Sequence, residues 1–193
     1  MSRQNKISIH QFHSGSAVGD AVVNSMFFVQ SMLRSLGFES DIFVEHVDPA
    51  LSKRIRPLED LRVAESDMLL IHHSMGHDAF PRLAALRCRK FLVYHNITPP
   101  EFLDDPSTQA YAIKGYSQLS LFRDIVETAI AVSSFNARHL ASRGFSDVTV
   151  SRCLKISPAF DIRDTRRRRI MTSRAPFGFC LSAGWCRTSV STS

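Results

Sequence analysis

A run from Ile7 to Phe12 gives way to His13-Ser14-Gly15-Ser16-Ala17-Val18-Gly19-Asp20 and then to Ala21 to Leu36. In that last stretch Val22, Met26, Phe27, Val29, Met32, Leu33 and Leu36 recur at helical spacing. The order is a buried first strand, a turn with two glycines and an amphipathic helix. Glycines let a backbone approach an anion, and the unpaired N–H groups of a helix start carry partial positive charge. The corner therefore reads as an anion acceptor or as a plain tight βα turn. Asp20 stands where an N-cap belongs.

The same alternation continues along the chain. Gly37 stands as a helix end before a second strand within Ser40 to Glu45, and Asp48 to Arg62, with Pro49 and Pro57, reads as a helical turn and loop. Asp67 to His72 is a third strand, apolar at its centre as parallel strands are, and Asp78 to Leu86 a short helix. A fourth strand from Arg89 to Asn96 runs into Ile97-Thr98-Pro99-Pro100, which cannot continue it. Asp105 to Val126 reads as partly helical, interrupted by Gly115; Thr128 to Ser133 is a fifth strand. Ser134 caps a helix through Arg143 that Gly144 ends, and Val148 to Val150 begins a sixth strand. Such alternation predicts an α/β fold with a doubly wound, mostly parallel, Rossmann-like sheet. Ligands on these sheets bind beyond the carboxyl ends of the strands. The places to inspect are His13 to Asp20, His72 to Asp78, His95 to Pro100 and Ser133 to Asn136.

Charge separates the chain into two parts. Residues 1–150 hold 15 Lys/Arg against 16 Asp/Glu, whereas residues 151–193 hold 9 against 2, so the net charge of +6 belongs to the tail. This divides a domain, 1–150, from a basic tail, 151–193, in which Arg166 to Arg169 and the Ser/Thr-rich end follow neither period and predict disorder. A specific nucleic-acid partner is not expected from the folded part. Cys88, Cys153, Cys180 and Cys186 include no C-x-x-C pair and read as free thiols. With neither a signal pattern nor a bilayer-length apolar run, the expected location is cytoplasmic.

Known site motifs exclude more than they select. The first turn reads G-x-x-x-G, not the dinucleotide fingerprint G-x-G-x-x-G, and no G-K-[ST] occurs. Glu45 ends the second strand where a ribose ligand can sit, a common place for any acidic loop residue. Ser133 and Ser134 lack a G-x-S-x-G context. His72, His73 and His77 follow the third strand without H-E-x-x-H or a cysteine pair, so they read as loop histidines that meet substrate or solvent and not as metal ligands. His95 ends a buried strand, where neighbours can orient it, and reads equally as a substrate contact or a backbone-bonded histidine.

Three segments together resemble the N-terminal half of GT-B glycosyltransferases of family 4. They are His10 to Ala21, Tyr94-His95-Asn96-Ile97-Thr98-Pro99-Pro100 and Ala131-Val132-Ser133-Ser134-Phe135-Asn136, in the same order and spacing through about residue 150. The resemblance implies two facing Rossmann-like domains, the N-terminal one mostly holding the acceptor and the other the nucleotide-sugar. It places His95 near the transferred sugar as the catalytic position. It makes His13, Gly15, Ser16, Gly19, Asp20, Asn96 and Ser133 substrate-binding positions. It implies retention of anomeric configuration with no essential metal and no cofactor, since amides and basic groups neutralise the leaving diphosphate. The partners implied are a nucleotide-sugar and a saccharide or lipid-linked acceptor, with peripheral association at the inner face of the membrane.

The family's second domain, with its G-R-x-x-x-x-K clamp and paired glutamates, has no counterpart in residues 151–193. Read from the third base of each codon, Cys180 to Ser189 permits a Gly-Arg…Asn-Lys segment like the first strand and phosphate loop of that domain. The same offset after Val150 permits the Leu-Pro the family has there. A single frameshift just after Val150 accounts for both, and the chain then reads as a fragment with little or no transfer activity. The alternative is a non-catalytic binding module whose arginine tail docks on acidic lipid or nucleic acid. The nucleotide sequence downstream of codon 150 is expected to encode a donor-binding domain in the offset frame; independent isolates with an intact frame and no such domain would refute the frameshift.

Overall fold

The computed structural model describes residues 7–151. Strand β1 (Ile9–Gly15) leads to helix α1 (Ala21–Ser35) and strand β2 (Ile42–His46). Two single 3-10 turns, Pro49–Leu51 and Leu58–Asp60, flank the short strand β3 (Arg56–Pro57). Then come β4 (Met68–His73), α2 (Phe80–Ala85), β5 (Arg89–Tyr94), a 3-10 turn at Pro100–Phe102, α3 (Pro106–Arg123), β6 (Thr128–Ala131), α4 (Ser134–Ser142) and β7 (Val148–Val150). All seven strands form one parallel sheet in the order β3-β2-β1-β4-β5-β6-β7, the α/β Rossmann-like architecture expected.

Register explains how one sheet carries two different faces. Phe43, Phe12, Ile71, Leu92 and Ala129 sit side by side across five strands and are all buried. This row packs with Leu83 of α2, Ala112, Leu119 and Phe122 of α3 and Leu140 of α4. One residue along each strand, the side chains point the other way. There Ile42 and Val44 pack with Val23, Met26 and Phe27 of α1, and Ile9 packs with Val29 and Leu33. Helices therefore cover both faces.

The structure moves several sequence boundaries. The first strand runs on through His13, Ser14 and Gly15, which pair with β2 as far as Gly15 opposite His46. Its polar end hides the strand from a reading based on apolar runs. β3 is an added edge strand, and it can include Pro57 because an edge leaves one side of the ladder unpaired. The cap of α4 is Ser133, whose hydroxyl accepts from Asn136 N–H at 3.1 Å, not Ser134. The expected basic tail lies outside the described residues except for Ser151, whose N–H donates to Ala131 at 2.9 Å. Cys88 is a half-buried free thiol; the other three cysteines also lie outside the described residues. Among the described residues no helix is long and apolar enough to cross a membrane.

Gly115 does not interrupt α3, which is continuous from Pro106 to Arg123. The glycine is there for space: a Cβ on Gly115 would lie 2.7 Å from the backbone nitrogen of Gly76 and 3.0 Å from Ile97 Cδ1. A Cβ on Gly76 would meet Gly115 nitrogen at 2.6 Å, and Gly76 N–H donates to Tyr111 at 3.0 Å. The loop after β4 thus lies backbone to backbone on α3. Gly to Ala inside a helix ordinarily adds up to about 1 kcal/mol. Here Gly115→Ala is expected to destabilise by about 1–3 kcal/mol because rigid backbone must shift; a urea midpoint equal to or above wild type would contradict the close contact.

Candidate functional site

From β1 the sheet grows outward in both directions, to β2 on one side and β4 on the other. Crevices in such sheets open at that reversal, beyond the carboxyl ends of the strands. Here those ends bring together His13 and Gly15 of β1, His72 and His73 at the end of β4 with Ser74 just after it, and His95 and Asn96 just after β5, on neighbouring strands.

The alternation of β4 separates its two adjacent histidines. His72, on the α1 side, is within 3.0 Å of Gln11 Oε1 through Nε2 and within 2.9 Å of His95 Nε2 through Nδ1. His73, on the other face, donates from Nε2 to Gly115 O at 3.0 Å. His77 follows it there, edge-on to Phe12 and His73 and tilted against Phe122, with its backbone held by reciprocal hydrogen bonds to the Gln118 amide. His72, His73 and His77 are all at most 2% exposed, so they are not the solvent- or substrate-facing loop histidines expected. The strand's polar end still obeys its period of two, and both faces at that level are covered.

Burial is the leading reason these imidazoles stay uncharged. It lowers His13, holds His72 well below the ordinary histidine range, and brings His73 to about 4 and His77 and His95 to about 3. Neighbouring imidazoles push His72, His73, His77 and His95 further the same way. His13 is saturated within the chain. Its Nδ1 donates to Gly15 O at 2.7 Å, which leaves Nε2 to accept from the Ser74 hydroxyl at 2.9 Å. That bond joins β1 to the loop after β4 across the reversal point. His95 is half-buried and closer to the surface than His72.

The glycine turn is largely self-satisfied. Asp20 caps α1 by accepting from Val23 N–H at 2.8 Å, and its own N–H donates to Ala17 O. Ser16 N–H and hydroxyl both donate to His46 O, and that hydroxyl accepts from Asp48 N–H at 2.9 Å. Val18 N–H donates to an Asp48 carboxylate oxygen at 3.3 Å, while the other oxygen caps the following 3-10 turn at Ala50. Gly19, at φ +86, needs the left-handed conformation that glycine adopts without penalty. The amides left for an incoming anion at this helix start are those of Ala21 and Val22. Two carboxylates already touch the turn, and Lys114, in Coulombic reach of His77, is bonded to Asp78.

Asn96 turns the chain sharply after His95 with φ +78, in the region that asparagine tolerates better than other side chains. The turn delivers Ile97 to the core, where its carbonyl accepts from Tyr116 OH at 2.9 Å. Ser133, one strand further on, is half-buried and engaged as a helix cap. Among the described residues no three His, Cys, Asp or Glu side chains converge as a metal site. A shallow pocket of about 350 Å³ lined by His10, Arg34 and Asp41 opens at the opposite, amino-terminal end of β1 and β2.

Sequence reasoning missed Gln11, Ser74 and Asp48. Gln11 alone carried a visible signal, a polar residue at an inward position of the first strand. A scan of protein-family models finds no match to this chain, and a search of curated proteins finds none either.

The neutral imidazoles have a consequence for stability. Below the ordinary histidine value of 6.5 the unfolded chain takes up protons that the folded imidazoles refuse until about pH 4 or 3. Stability is therefore full above about pH 7 and falls as pH drops through 6 toward 4, each such histidine costing on the order of 1 kcal/mol per pH unit. Urea midpoints at pH 7 and pH 5 check this; equal midpoints would contradict it.

Proposed function

We propose that this lobe is the acceptor-side half of a retaining glycosyltransferase, working in the cytoplasm, with peripheral association at the membrane surface where its acceptor is lipid-linked. The observation that carries the reading is the character of the crevice at the reversal of strand order. It is edged by hydrogen-bonding imidazoles held neutral by burial, and carboxylates touch its glycine turn. Neutral acceptors and donors suit the hydroxyls of a saccharide, and carboxylates do not attract a diphosphate. The three motif segments resembling the glycosyltransferases supply the reaction class.

In that reaction an acceptor hydroxyl oxygen forms the new bond to the anomeric carbon while the bond from that carbon to the diphosphate oxygen breaks. The proton of the hydroxyl leaves with the diphosphate. His95, at the carboxyl end of β5, contacts a sugar hydroxyl. The positive groups that stabilise the departing diphosphate belong to a facing donor-side lobe, since such stabilisation needs groups fixed together around the developing charge.

The test is binding of simple methyl glycosides and of nucleotide-sugars to the full chain, with and without a matching donor-side domain. Saccharide binding by the chain itself is expected to weaken roughly tenfold in His95→Ala, the scale of one lost hydrogen bond. Transfer is expected only with the second domain added, with the anomeric configuration retained. Binding only to anionic vesicles or nucleic acid, salt-sensitive and lost when residues 152–193 are removed, would replace this reading with that of a docking module.

A further inference from the structure

We propose that Gln11 and His72 are positioning residues that fix the protonation of His95, holding its proton on Nε2 and leaving Nδ1 an obligate acceptor for a hydroxyl of the ligand. The inference rests on the glycosyltransferase reading only for the identity of that ligand.

The direction of the relay is set at its inner end. Met26 O, on α1, carries no hydrogen, and Gln11 Nε2 lies 3.0 Å from it. The Gln11 amide can donate there only through its NH2, so its Oε1 is the atom presented to His72 Nε2 at 3.0 Å. That oxygen accepts, so His72 Nε2 holds the proton of this neutral ring and His72 Nδ1 holds a lone pair. The next partner, His95 Nε2 at 2.9 Å, must therefore donate. With one proton on a neutral ring, His95 Nδ1 is left bare.

Geometry and burial support each step. The two rings are tilted by 25° with centroids 5.1 Å apart, which is the N···N distance plus about two ring radii. They meet edge to edge in line and are not stacked face to face. Gln11 and Met26 are fully buried and His72 is 1% exposed, so water does not compete for the inner links. His13 is no rival partner, because both its nitrogens are engaged by Gly15 and Ser74. Moving the His95 proton to Nδ1 would set two lone pairs against each other at the 2.9 Å contact. Reversing the inner links instead would aim the Gln11 NH2 away from Met26 O and leave that bond unmade.

Histidine-selective 15N labelling of the full chain at pH 7 reads which ring nitrogen carries each proton, and a coupling across the hydrogen bond reports the His72–His95 pair directly. Expected are protons on Nε2 of His72 and His95, a coupling between His95 Nε2 and His72 Nδ1, and slow exchange of the His95 ring proton with water. His72→Leu is expected to abolish the slow exchange and to admit the Nδ1–H form of His95. His72→Gln, which can accept from His95 and donate to Gln11 in the same sense, is expected to restore both. A proton on His95 Nδ1 in the wild type, a missing coupling, or a His95 unchanged in His72→Leu overturns the inference. If His72→Leu does not fold, the wild-type pattern and His72→Gln decide. None of these measurements needs a ligand: a chain with this protonation pattern that binds no saccharide refutes the transferase reading and upholds the relay.

Discussion

The parallel pairing of β1 with β4, two residues at a time, is what the rest of this molecule depends on. It sets Phe12 beside Ile71 on the face that meets α2, α3 and α4. It sets Gln11 beside Leu70 on the face that meets α1. A one-residue slip of β1 would turn that strand over, putting Gln11 into the larger apolar cluster, away from His72, and Phe12 against α1. The hydrophobic row therefore specifies the register, and the register aligns Gln11, His72 and His95. Packing on one face is the source of order on the other.

Electrostatics gives the site its character through absence of charge. The imidazoles at the strand ends are bonded to one another, to amides or to hydroxyls, and burial keeps them from becoming cations. The glycine turn, which at first sight is built for an anion, has Asp48 and Asp20 already on its amides. An internal carboxylate satisfies the same donors that a phosphate would seek. The resulting edge is polar and uncharged at its centre, with acidic groups on the turn.

Much of this fold was legible in the sequence because strands and helices alternate with clear punctuation. Gly37 and Gly144 do adopt left-handed backbone just past α1 and α4, and Asp20 does cap α1. The turn from Ile97 to Pro100 does follow a strand. What was not legible shares one cause, dependence on a partner distant in the chain. Nothing local says that Gly115 is needed by Gly76, that Arg56 and Pro57 add a strand to β2, or that His73 and His77 lie under Phe122. Of the candidate site, the strand-end positions could be found from topology rules alone. The bonds among them could not, because Gln11 and His72 are 61 residues apart and nothing in either neighbourhood names the other.

The Gly76–Gly115 contact carries a consequence for how this chain can vary over time. Each glycine is forbidden a side chain by the main chain of the other, and main chain cannot be substituted away. Drift at either position is thus blocked unless the loop and the helix separate, which would also unseat Ile97 and the carbonyl that His73 bonds. In descendants of this protein the two glycines should persist as a pair or vanish together, marking lineages that have abandoned the loop's present path.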